Sequence, residues 1–124
     1  MMENVTAQEY LNKIGLNEND ISNMINQVPS LEYTYSEEAH LPVLYLVSLG
    51  MNDKQIRSIL VGNPYILLED VKRLKEVELC LEKLGLSEKE IKYAIEENPE
   101  ILTMDSEDIE GIKENLFVFA EEQE

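Results

Sequence analysis

The sequence predicts an all-α fold: a helical-repeat superhelix (α-solenoid) of three 35-residue two-helix repeats plus a C-terminal helix. One observation is a period of 35 residues, and another is that helix start and stop signals recur at the same place in each copy. The columns are Gly15, Gly50 and Gly85; Ile21, Ile56 and Ile91; Pro29, Pro64 and Pro99; and Leu11, Leu46, Leu81 and Leu116. Such a period is typical of stacked helical repeats, because one copy cannot bury its own apolar face.

We expect one domain spanning residues 1–124. The repeats should lie at about 7–41, 42–76 and 77–111, which we call the first, middle and third copies. A capping helix should follow at about 106–120, and an acidic tail at 121–124.

Each copy should contain a first helix that ends at glycine and a second helix that starts two residues later. Glycine closes a helix in the left-handed conformation without a Cβ penalty. The expected N-caps and their capping-box partners are Asn17 with Asp20, Asn52 with Gln55, and Ser87 with Glu90, of which Asp20 is the weakest. Apolar residues flank each cap at the spacing of a hydrophobic staple, as Leu16 and Ile21 do.

The second helix should stop where a residue precedes proline, since that residue is pushed out of the α region. The next first helix should begin at Ser36, at Asp70, and at Asp105 or Ser106. Pro42 lies inside the helix expected from Ser36 to Leu49. We therefore expect that helix to start late, near Leu41 with Pro42 at its first position, or to kink.

The residue types that usually carry chemistry are sparse. Cys80 is the single cysteine and stands in a helical column with Tyr10 and Tyr45, so we expect a packed or half-buried thiol. His40 is the only histidine, expected at a helix start, and the acidic run MDSEDIEG lacks the spacing of a calcium loop. With no glycine-rich phosphate loop either, we expect no enzymatic activity, no cofactor and no metal.

The chain shows no membrane span and no targeting leader that we can identify. No run approaches the length of apolar sequence that spans a bilayer, and the first residues lack a basic flank. A single cysteine is compatible with a reducing compartment. We expect a cytoplasmic protein that does not contact membranes.

Two segments, YLVSLGMNDKQIRSILVGNPYILL and CLEKLGLSEKEIKYAIEENPEILTMDSEDI, resemble the repeats of the mitochondrial transcription termination factor (mTERF) family. The resemblance extends from about Ala7 to Phe119. It implies two helices and a short 3₁₀ turn per repeat, stacked into a left-handed superhelix, with helices at 7–14 and 18–27 and the turn at 29–31. It also implies nucleic-acid binding along the superhelical groove, by family members that are typically basic, organellar and longer.

The charge of this chain opposes that implied function. Its formal net charge is −16, from 26 acidic and 10 basic residues. The first copy holds six acids and one base, the middle copy four and five, and the third copy eleven and three. Because lysine and arginine supply most non-specific affinity for phosphates, only the middle copy suits nucleic acid.

The middle copy also carries a candidate partner-binding stripe of Arg57, Val61 and Tyr65. Arg57 and Val61 are four residues apart on one helical face, and Tyr65 follows just past the proline. These positions vary between copies, so we expect an exposed stripe, and arginine and tyrosine are enriched at interface hot spots. Lys72, Arg73 and Lys75 form a second, basic cluster. The alternatives are scattered surface residues, a tyrosine that fills a gap at a helix end, and a solvated basic face.

Three functions remain open, and the first is a module that binds a protein, because −16 favours a basic partner. The second is a nucleic-acid-mimicking inhibitor of a nucleic-acid-binding protein, as small phage-type inhibitors are. Its candidate acidic face comprises Glu96, Glu97, Glu100, Asp105, Glu107 and Asp108. The third is mTERF-like nucleic-acid binding or transcription regulation through Lys54, Arg57, Lys72, Arg73 and Lys75. We expect a monomer, or a weak dimer formed through apolar ends at residues 1–5 or 117–119.

Overall fold

The computed structural model describes residues 6–116, which fold into α-helices and 3₁₀ turns. The first helix of each copy is α1 (Ala7–Lys13), α3 (Ser36–Ser48) or α5 (Val71–Lys83), and the second is α2 (Glu18–Gln27), α4 (Asp53–Gly62) or α6 (Glu88–Glu97). The 3₁₀ turns are η1 (Pro29–Tyr33), η2 (Pro64–Leu68) and η3 (Pro99–Thr103), and α7 (Ser106–Gly111) follows. The described residues contain no strand, only an isolated bridge between Thr6 and Tyr35. The predicted all-α helical-repeat fold is confirmed.

The helices stack in two layers. α1, α3, α5 and α7 contact one another in order and form the first layer, while α2, α4 and α6 form the second. Each 3₁₀ turn packs against both helices of its own copy. The leucine column, Leu11, Leu46, Leu81 and Leu116, is almost completely buried within one continuous core. Each copy therefore buries its apolar face against its neighbours, as stacked repeats must.

The helix ends and caps follow the sequence prediction closely. Gly15, Gly50 and Gly85 all have positive φ, at 104°, 86° and 101°. Complete capping boxes open α4 and α6, where Asn52 pairs with Gln55 and Ser87 with Glu90. In α2, Asn17 accepts the Asp20 backbone N–H at 2.8 Å without a return bond, because aspartate is a methylene too short. The 3₁₀ turn of the first copy reaches Tyr33 rather than ending at Leu31.

The start of α3 corrects one prediction. The helix begins at Ser36 with Pro42 inside it, so the prediction of a late start is wrong. Ser36 opens the helix, as the start signal predicted, and Tyr35 is the N-cap residue. Ser36 is buried and its Oγ has no partner. Tyr35 pairs with Thr6 in an isolated antiparallel bridge immediately before the helix. Pro42 costs the helix one bond, to the carbonyl of the exposed residue Glu38.

The phase of the repeats also differs from the windows 7–41, 42–76 and 77–111. The boundaries at 42 and 77 fall inside α3 and α5, which begin at 36 and 71. The windows start at residue 7, the first residue of α1. α1 has seven residues, whereas α3 and α5 have thirteen and so begin earlier in the period. The described part of the predicted 106–120 helix contains α7 and ends at Leu116. Residues 117–120, the acidic tail 121–124 and the apolar ends at 1–5 and 117–119 lie outside the described residues.

Candidate interaction surfaces

Arg57 is a contact between copies rather than a freely exposed side chain. It lies on α4, is partly buried, and donates from Nη1 to the carbonyl oxygen of Ile14 at 3.4 Å. Ile14 is the C-cap residue of α1, so the guanidinium sits at the negative end of that helix. The same side chain lies over Gly15, whose missing Cβ would be 3.1 Å from Nη1.

Tyr65 makes a similar contact to the second helix of the first copy. Its hydroxyl donates to the carbonyl oxygen of Gln27, the last residue of α2, at 3.3 Å, while the residue remains 53% exposed. Val61 is partly buried against the core. The prediction of a uniformly exposed stripe is therefore wrong for Arg57 and Val61, because α4 packs on α2. The alternative role for Tyr65, at the end of a helix, describes its hydrogen bond well.

The basic residues of the middle copy do not converge on one surface. Lys72 and Lys75 are exposed on α5, in the first layer, whereas Lys54 and Arg57 are on α4, in the second. Arg73 is partly buried, and its Nε lies 3.8 Å from a carboxylate oxygen of Glu69. Two of the five candidate cations thus already have intramolecular partners.

The six candidate acidic residues extend over α6, η3 and α7. Glu97, Glu100, Glu107 and Asp108 are exposed, while Glu96 is partly buried and accepts a bond from Gln55 Nε2 at 3.0 Å. Asp105 is the N-cap of α7 and accepts the Asp108 N–H at 2.9 Å. Only two ion pairs form within residues 6–116, Arg73 with Glu69 and Lys113 with Glu110. Most carboxylates of the described chain therefore face solvent without a cation beside them.

Two tyrosines in one column connect successive first helices. Tyr10 on α1 has its hydroxyl 2.8 Å from His40 Nδ1 on α3, and the two rings meet edge to face. Tyr45 on α3 is buried and donates to Glu78 Oε1 on α5 at 2.6 Å. Burial, reinforced by Glu78, raises the pKa of the Tyr45 phenol well above its ordinary value. His40 is the fifth residue of α3 rather than at its start.

The remaining candidates for chemistry are the cysteine and the groups that could bind a metal ion. Cys80, third in the tyrosine column, is partly buried against the core. No group of histidine, cysteine or carboxylate side chains within the described part could hold a metal ion. No helix of that part is long and apolar enough to cross a membrane.

Sequence reasoning missed an apolar patch on the outward face of the first layer. Leu41, Leu44 and Val47 of α3 are 55%, 46% and 51% exposed, and Leu79 of α5 is 49% exposed. The signal was present in LPVLYLVSL, residues 41–49, where only one residue is polar. A helix that is apolar all round must expose some of those side chains unless both faces are covered.

The fold defines a helical-repeat protein, and no side-chain cluster in its described residues could hold a metal ion. The family model that matches it is mTERF, over residues 1–123. The chain therefore belongs to the mTERF family. No curated protein matches the sequence.

Proposed function

We propose that this chain is a non-enzymatic helical-repeat protein whose partner is a protein with a basic surface. The observation that carries the proposal is the excess of unpaired carboxylates on a packed helical array. The formal net charge is −16, and only two ion pairs form among residues 6–116. A field of this sign attracts cationic surfaces and speeds their association.

The same field disfavours phosphate-bearing partners. A nucleic-acid site needs several cations that track one backbone. Here Arg57 contacts the carbonyl of Ile14, Arg73 pairs with Glu69, and the exposed lysines lie on different layers. This distribution supports a protein partner over nucleic acid.

Direct nucleic-acid binding is the second candidate, and membership of the mTERF family favours it. Its contacts would be Lys72 and Lys75, which are exposed on neighbouring turns of α5. Such binding would weaken steeply with salt, and it would require low ionic strength because so many acids surround the two lysines. A nucleic-acid mimic is a special case of the first candidate, in which the basic partner itself binds nucleic acid.

A capture experiment with a nuclease arm separates these functions. Immobilised protein is incubated with native lysate with and without nuclease, and bound proteins are identified by mass. We expect basic proteins that survive nuclease and are released by about 0.5 M salt, where charges are screened within a few ångströms. Loss of capture with nuclease would contradict the proposal and favour nucleic acid. Displacement of the captured proteins by added DNA or RNA would mark a mimic.

Matched charge variants locate the contact. Glu97→Gln/Glu100→Gln/Glu107→Gln removes three exposed carboxylates from the α6 to α7 end, and Glu9→Gln/Glu18→Gln/Glu32→Gln removes three exposed ones from the first copy, at the other end. Both variants change the net charge equally. If the acidic face binds the partner, only the first variant reduces capture. Equal loss would mean that net charge alone steers the partner.

A further inference from the structure

A depression of about 400 Å³ lies between α3, the end of η2 and the start of α5. Its apolar lining comprises Leu41, Leu67, Leu68 and Val71. Leu67 belongs to the buried core, whereas Leu41 and Leu68 are 55% and 44% exposed. Single exposed apolar residues are ordinary, but two that share a concave surface mark an interaction site.

The two exposed leucines are not required by the repeated fold. One period later, the equivalents of Leu41 and Leu68 are the polar residues Glu76 and Thr103. The buried Leu67, by contrast, is followed one period later by another buried leucine. The core position thus stays apolar from one copy to the next, while the surface positions become polar. Packing within the chain therefore does not explain the two exposed leucines.

The charged residues that line the depression are all acidic: Glu38, Glu69 and Asp70. Glu38 and Asp70 are exposed, and neither forms an ion pair within residues 6–116. Glu69 is partly buried and pairs with Arg73, whose Nε lies 3.8 Å from its carboxylate. The depression therefore presents two unpaired carboxylates beside its exposed leucines.

Two lysines limit how far this acidic character extends. Lys72 and Lys75 are exposed farther along α5 and do not line the depression. A long basic segment laid along α5 meets both lysines and is repelled by them. The complementary segment is therefore short, with its cations beside Glu38 and Asp70.

We propose that the depression docks a short segment of a basic protein, one that presents apolar side chains flanked by lysine or arginine. The apolar side chains cover Leu41 and Leu68, and the cations face Glu38 and Asp70. Charge complementarity selects this occupant over an acidic or neutral one. A small molecule fits less well, because so open a depression cannot bury most of its surface. The basic character of the partner rests on the proposed function, whereas the docking surface and the apolar side chains are new.

Binding of a designed peptide to the full chain tests the docking surface. The probe is a fluorescein-labelled peptide with two central leucines and two lysines on either side. One comparison peptide replaces the leucines by serine, and the other replaces the lysines by glutamine. Fluorescence anisotropy at up to millimolar protein should show the probe binding at least about tenfold tighter than either comparison peptide. Equal binding of the serine peptide would overturn the proposal, because charge alone would suffice, and so would a probe that does not bind.

Two double variants locate the apolar contact. Leu41→Gln/Leu68→Gln replaces the two exposed leucines without changing charge, and should weaken binding of the probe at least about tenfold. Leu44→Gln/Leu79→Gln is the matched control, because these leucines are 46% and 49% exposed but do not line the depression. The control should bind like the native chain, and circular dichroism verifies the fold of both variants. Equal weakening by the two variants would contradict docking in the depression.

A second pair of variants tests the charges. Glu38→Gln/Asp70→Asn removes the two unpaired carboxylates, and asparagine retains the N-cap of α5, where Asp70 accepts the N–H of Lys72 at 2.9 Å. Glu97→Gln/Glu107→Gln is the control, since it removes two exposed carboxylates from α6 and α7 and changes the net charge equally. We expect several-fold weaker binding of the probe from the first variant only. The same loss from the control would mean that net charge, rather than this depression, attracts the probe.

Capture from lysate separates the failure of this proposal from the failure of the proposed function. If the native chain and Leu41→Gln/Leu68→Gln capture the same basic proteins equally, the docking surface is wrong and the proposed function stands. If the native chain captures no basic protein, the proposed function fails. The peptide titrations then still decide whether the depression binds apolar and basic side chains together.

Discussion

Arg57 on α4 donates to the carbonyl oxygen of Ile14 at the C-terminus of α1, joining the middle copy to the first. One period later, the Lys92 ammonium lies 3.5 Å from where a Cβ would stand at Gly50, at the end of α3. Both cations therefore sit at the end of the first helix in the preceding copy. A cation is favourable at that end of a helix because the unpaired carbonyls there carry partial negative charge.

Arg57→Ala should lower the free energy of unfolding by about 1 kcal/mol, the usual worth of one partly exposed hydrogen bond. The matched control is Lys54→Ala, on the same helix and exposed, which should change stability by less than about 0.5 kcal/mol. Urea denaturation monitored by circular dichroism measures both. Equal effects of the two substitutions would mean that the bond to Ile14 contributes nothing.

Sequence predicted the helix ends better than anything else, because those signals are local. Gly85, Ser87 and Glu90 act within one or two turns of one another, and all three do what their residue types favour. The same helix start and stop signals recur every 35 residues along the chain. The helix α2 lies at 18–27, the bounds that the resemblance to the mTERF repeats implied.

Features that depend on contacts between copies could not be predicted this way. Tyr35 pairs with Thr6 just before α3, a contact that no local pattern encodes. Arg57 was expected to be exposed because its position varies between copies, yet its side chain contacts the carbonyl of Ile14 in the preceding copy. The apolar patch around Leu44 was not predicted, because an apolar run in one helix does not show which of its side chains the neighbouring helices cover.

Tyr45→Phe should destabilise the fold by about 1 to 2 kcal/mol, because it removes a buried donor to the Glu78 carboxylate. Tyr10→Phe is the matched substitution one period earlier, where the partner His40 is exposed, and should cost less. Thermal and urea unfolding of both variants provides the comparison. A Tyr45 variant as stable as the Tyr10 variant would show that burial does not strengthen this contact.

Alkaline pH offers a second readout of the same tyrosine. The pKa of Tyr45 is raised by burial in the folded chain, so the unfolded chain releases this proton first. The stability due to Tyr45 is complete below the ordinary phenol pKa of about 10 and is lost as pH rises above it. The native chain should therefore lose stability above pH 10 more steeply than Tyr45→Phe. Parallel stability curves for the two proteins would contradict this.

Acid should weaken the capping box of α6 but not that of α4. Glu90 accepts hydrogen bonds from Ser87, which hold the pKa of its carboxyl below the ordinary value. Its contribution is present above the unfolded carboxyl pKa of about 4.3 and is lost as pH falls through the lowered folded pKa. The box of α4 contains Gln55, which does not titrate.

Glu90→Gln is the natural control, since it copies the α4 box into α6. As pH falls from 6 to 3, the unfolding free energy of the native chain should decrease relative to that of Glu90→Gln. Side-chain NMR of Glu90 should show the lowered pKa directly. A difference that stays constant with pH would mean that Glu90 does not join the box in solution.

The three loop glycines should differ in how well they tolerate alanine. Each has positive φ, which costs an alanine about 1 to 2 kcal/mol. At Gly85 no atom lies within 4 Å of the added Cβ, so that backbone cost is the whole effect. At Gly15 the Cβ would lie 3.1 Å from Arg57 Nη1, so the guanidinium must shift as well.

Gly15→Ala should therefore cost more than Gly85→Ala, by up to about 1 kcal/mol, because it also weakens the bond from Arg57 to Ile14. A double-mutant cycle isolates that part: Arg57→Ala should cost less in the Gly15→Ala background than in the native chain. Chemical denaturation of the four proteins gives the coupling. Strict additivity would show that the Arg57 side chain shifts without any loss of stability. Apolar packing alone would then stabilise the contact between copies.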